Sequence, residues 1–62
     1  MAQIVTLKDG PMVEAIPCDN GLVALDVLRP HGKWRPLLSM TPGEARDLAV
    51  CLRNAANAIK ES

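Results

Sequence analysis

Residues 41–62, TPGEARDLAVCLRNAANAIKES, decide the architecture of this chain. Thr41 stands where an N-cap hydroxyl is needed, Pro42 suits the first helical turn, and Glu44 is placed to return a carboxylate to the cap, so a helix begins here. Downstream, Ala45, Leu48, Ala49, Leu52, Ala55, Ala56 and Ile59 recur at spacings of three and four and fall on one stripe. Arg46, Asp47, Arg53, Asn54, Asn57 and Lys60 take the other side, with Lys60 near the C-terminal end where a cation complements the helix dipole. The pattern predicts a helix over about 42–60 whose apolar stripe covers whatever precedes it.

Short β-type runs precede it, separated by Asp9-Gly10, Asp19-Asn20-Gly21 and Pro30-His31-Gly32-Lys33, each a turn signal. Gln3 to Lys8 reads as a first strand, with Val5 and Leu7 on one side and Ile4 and Thr6 on the other. Met12 to Cys18 is a second, and Pro11 and Pro17 at its ends suit a short or edge strand because proline donates nothing to a ladder. Leu22 to Arg29 carries the clearest alternation, with Val23, Leu25 and Val27 on one face. Trp34 to Met40 returns as a fourth strand despite Pro36. The expected fold is one α+β domain over 1–62: an antiparallel meander of three to four strands within 3–40, followed by one C-terminal helix packed on the sheet.

A chain of 62 residues buries only about 60% of the surface its unfolded form exposes, so its core is marginal. One Trp and no Phe or Tyr leave that core to Val, Leu, Ile, Ala and Met. Homo-oligomerisation is a common remedy, and a homodimer is expected. Val50 lies among polar residues of the helix, so Val50, Asn54 and Asn57 are the candidate dimer contacts. Cys18 and Cys51 read as reduced thiols of a cytoplasmic protein, since no signal peptide precedes them; a single disulfide between them is the alternative. Seven basic and seven acidic residues cancel, so the overall field neither recruits nor repels polyanions, and no apolar run reaches the ~20 residues that span a bilayer.

Unusual residues concentrate at one place, Arg29-Pro30-His31-Gly32-Lys33-Trp34-Arg35, where three cations and a histidine surround the sole aromatic. Cations track phosphates and an indole face stacks a base, so Arg29, His31, Lys33, Trp34 and Arg35 are the candidate binding residues. The structural alternative makes Trp34 the largest core residue, with the cations as a solvated rim. His31 has no carboxylate neighbour in sequence, and its spacing to Cys18 and Cys51 fits no ligand or nucleophile motif. No catalytic residue, metal site or cofactor is expected. Asp26, inside the best strand, reads as a structural acid able to pair across strands with Arg29 or Arg35.

From Val23 to Leu48, VALDVLRPHGKWRPLLSMTPGEARDL resembles the end of the positive cofactor four type of single-stranded DNA-binding domain. The resemblance rests on Leu25-Asp26-Val27 with Arg29 after it, on the turn with Lys33 and Pro36, and on the helix start Thr41-Pro42-Gly43-Glu44. It implies a four-stranded antiparallel sheet, one helix, and dimerisation through that helix. A nucleic-acid role carried over would fall on Arg29, Lys33, Trp34 and Arg35. That family also has a basic, glycine-containing stretch before the last strand and aromatics on the DNA-facing sheet, where this chain has Pro36-Leu37-Leu38-Ser39. The sequence therefore predicts a small non-enzymatic binding or regulatory protein that docks as a homodimer on another macromolecule, as an adaptor or inhibitor does. A protein partner is preferred over nucleic acid, with neither a membrane nor a small-molecule substrate, and the alternative is a single-stranded nucleic-acid-binding dimer.

Overall fold

The computed structural model describes residues 3–59. Strands β1 (Gln3–Thr6), β2 (Met12–Pro17), β3 (Val23–Leu28) and β4 (Arg35–Met40) form one antiparallel sheet in the order β1-β2-β3-β4, and helix α1 (Pro42–Ala58) follows. The meander is local because each turn carries its own chemistry. Gly10, at φ 104°, donates its N–H to the Leu7 carbonyl at 3.0 Å, and Gly21, at φ 82°, donates to Cys18 at 3.1 Å. Such backbone angles cost glycine nothing and other residues a good deal. In the second turn the Asn20 side-chain oxygen also accepts from the Leu22 N–H at 3.0 Å, an Asx-type lock.

The register assigns the two faces. Val5, Val13 and Val27 align across β1, β2 and β3, as do Gln3, Ala15, Leu25 and Leu38 across all four strands, and Val23 pairs with Met40. That face is apolar apart from Gln3 and from Arg35 opposite Val27, and it is the one α1 addresses. On the opposite face, Ile4, Glu14, Asp26 and Pro36 align.

Two expectations are corrected here. Strand β2 is an interior strand, flanked by β1 and β3. Pro11 lies outside it and Pro17 is its last residue, so Met12 to Ile16 keep every ladder donor. It is β4 that is an edge, and there Pro36 is tolerated: the register slips between Leu25 and Asp26, leaving Leu37 as the additional residue of a bulge. Asp26 faces Glu14 and Pro36, and Arg35 faces Val27, so the expected pairing of Asp26 with Arg35 is not made. Like charges directly opposite on adjacent strands oppose rather than support the pairing.

Helix α1 starts as its sequence requires. The Thr41 N–H donates to Glu44 Oε1 at 2.9 Å and the Glu44 N–H donates to Thr41 Oγ1 at 3.1 Å, a complete capping box. The bond from the Thr41 backbone, then that from its hydroxyl, holds the Glu44 carboxyl below the ordinary carboxylate range. A depressed folded-state pKa contributes stability above the unfolded carboxyl's pKa and loses it as pH falls through the folded value. Thr41→Ala is expected to cost about 1 kcal/mol in urea unfolding at neutral pH. Glu44→Gln should be less stable than the parent at neutral pH, with the difference shrinking on acidification; a constant difference down to pH 2 contradicts the assignment. Lys60, expected near the helix C-terminus, lies outside the described residues.

The helix does not close the core. Ala45, Leu48, Ala49 and Leu52 line one groove with Val13, Ala15, Val23, Leu25 and Met40, so the predicted stripe does face the sheet. Yet no residue of α1 is buried, and Met40, 9% exposed, is the one buried hydrophobic among the described residues. The radius of gyration is 13.1 Å, whereas a compact 62-residue domain has about 10.6 Å. The stripe thus covers less of the sheet than its pattern led one to expect.

Candidate functional site

The β1–β2 and β3–β4 turns lie at the same end of the sheet, far from the start of α1. They approach closely enough that a Cβ at Gly10 would meet Pro30 Cγ at 3.1 Å. Arg29, Pro30, His31 and Gly32 form the tight part of the second turn, closed by the Gly32 N–H donating to the Arg29 carbonyl at 2.9 Å. Proline at the second position and a positive φ at the third follow the type II pattern. The third residue is His31, at φ 63°, one of the residue types that enters this region more readily than most.

This turn sorts the candidate residues. Arg29, Lys33 and Arg35 line one open concavity of about 470 Å³ together with Val27, Pro30 and Gly32. No carboxylate lines it. Three cations there are suited to an anionic group, and Val27 offers an apolar floor. His31 lies instead in a second hollow of about 260 Å³, with Gly10, Met12, Leu28, Arg29, Pro30 and Gly32. Trp34 lines neither of them, and at 39% exposed it is not a core residue. The structural alternative for Trp34 is therefore corrected: strand β4 begins only at Arg35, which leaves Trp34 exposed in the connection between β3 and β4. Of the five candidate residues, three converge.

Elsewhere little chemistry gathers. Among the described residues there is no group of three or more His, Cys, Asp or Glu able to hold a metal ion. Cys18 and Cys51 are free thiols; Cys18 is half-buried and its Sγ donates to the Ile16 carbonyl at 3.6 Å, while Cys51 is exposed. Among the described residues no helix is long and apolar enough to cross a membrane. Val50, Asn54 and Asn57 lie on an exposed side of α1, with Val50 46% exposed.

A larger feature escaped residue-by-residue reading. A second apolar groove, of about 410 Å³, runs along the sheet between Leu52 and the side chains of Val5, Leu7, Val13, Ala15 and Leu25. It adjoins the groove of about 290 Å³ that Met40 and the first half of α1 line. The sequence did show that neither sheet nor helix carries Phe or Tyr, so the residues that line both grooves are mainly aliphatic. No protein-family model, curated protein or solved structure matches the chain.

Proposed function

We propose that the protein is a small non-enzymatic binding or regulatory protein that works as a homodimer and docks on another protein. The observation that supports this is the amount of large apolar surface the fold leaves open. Val5, Leu7, Leu38 and Leu52, all exposed on the helix side, support the homodimer, and Ile4, exposed on the other face of the sheet, is left for the docked protein. A soluble chain rarely leaves that much contiguous apolar area without a macromolecular contact. Capture of its protein partner is expected to survive nuclease treatment and moderate salt, because apolar contacts are insensitive to screening.

A second reading, single-stranded nucleic-acid binding, is favoured by the concavity that Arg29, Lys33 and Arg35 line. The two readings diverge in one titration, following Trp34 fluorescence as a single-stranded oligonucleotide is added at low and at moderate salt. Docking on a protein predicts a flat signal at both salts. Nucleic-acid binding predicts quenching whose salt slope is about −2 per chain if all three cations neutralise phosphates, and alanine at all three removes it without unfolding the protein.

A further inference from the structure

We infer that the apolar groove between sheet and helix is where a second copy of this chain sits, the two copies placing the same patch against each other across a two-fold axis with Leu52 near that axis. The inference rests on the homodimer proposed above and names its surface. The outer helix side with Val50, Asn54 and Asn57 is thereby left to solvent.

Area identifies the occupant. The chain exposes 5356 Å². A compact monomer of 6.7 kDa exposes about 3,900 Å², an excess of about 1,400 Å² per chain. Doubled, the excess falls within the roughly 2,000 to 5,000 Å² that obligate homodimers bury, and well above a transient contact. The shape agrees: extents of 41 × 33 × 18 Å describe a slab with one open face rather than a globule.

Composition agrees as well. Apart from Gln3 on the sheet, the patch is apolar on both walls, with Val5, Leu7, Val13 and Leu25 from the sheet and Leu48 and Leu52 from the helix, so it can face its own copy as a two-fold interface requires. Leu52 lines both grooves and is 63% exposed. With seven charges of each sign, two copies meet without net repulsion. A cover that the fold needs at all times is most simply another copy of the same chain, made at the same moment and in equal amount.

Sedimentation velocity of the wild-type protein, Leu52→Asp and Val50→Asp at about 20 μM tests this, beside small-angle scattering of the wild type. The expected result is a wild-type dimer whose dissociation constant Leu52→Asp raises at least about 100-fold, a central hot-spot effect felt twice by symmetry. Because Leu52→Asp can also unfold the chain, the wild type is examined in addition as a mixed sample of ¹³C-labelled and unlabelled protein. Isotope-filtered methyl contacts between copies are expected from Leu52 to Val5 and Val13. A dimer whose intermolecular contacts involve Val50 alone, or that Val50→Asp dissociates and Leu52→Asp does not, overturns this surface and leaves the homodimer standing. A wild-type monomer of about 10.6 Å radius of gyration, with the helix collapsed onto its own sheet, overturns both.

Discussion

Replacing Met40 by alanine removes a large share of the stability of this chain and lowers its urea midpoint sharply. Met40 is the one buried hydrophobic among the described residues, where β4 ends opposite Val23 and one residue before the Thr41 cap. It lines the groove together with Ala45, Leu48 and Ala49. Truncating a buried methionine costs about 2 to 5 kcal/mol through lost transfer energy and the cavity left behind. At about 0.05 to 0.15 kcal/mol per residue, a chain of this length has roughly 3 to 9 kcal/mol in all. Urea titration followed by far-ultraviolet circular dichroism measures it; an unchanged midpoint would show that the core lies elsewhere.

The melting midpoint of the wild-type protein rises with concentration, by about 5 °C for each tenfold increase. Folding coupled to association gains about 1.4 kcal/mol per tenfold in concentration. The unfolding entropy of two 62-residue chains, at about 2.1 cal/mol/K per residue, converts that into the shift. On the proposed homodimer the exposed groove is the physical basis, because the second copy supplies burial that one chain lacks. Calorimetric scans between about 5 and 500 μM supply the comparison. A midpoint that stays constant over that range, with a cooperative transition, would mean that a single chain holds the fold.

Much of the secondary structure was legible because its causes are local. The capping box needs only Thr41 and Glu44, three residues apart, and it forms as read. Gly10 and Gly21 turn the chain where turn residues stand, and adjacent strands then pair by proximity. Arg29, Lys33 and Arg35 converge for the same reason, since one tight turn joins the strands that carry or flank them. Trp34 was not legible. Whether the aromatic beside a turn points into a core depends on whether a second layer lies over it, which no local pattern states.

The amino-acid sequence by itself determined an antiparallel meander of three to four strands and a capped amphipathic helix, because turns, alternation and caps act over a few residues. Only the tertiary structure decided that β2 is interior, that a bulge at Leu37 carries Pro36 on the edge strand, and that Asp26 faces Glu14 and Pro36. These depend on strand order and register, which are properties of pairs of strands. It likewise decided how far the helical stripe covers the sheet. An apolar stripe announces that it will be buried, but what lies against it depends on contacts between elements distant in sequence, and here the groove between helix and sheet stays open.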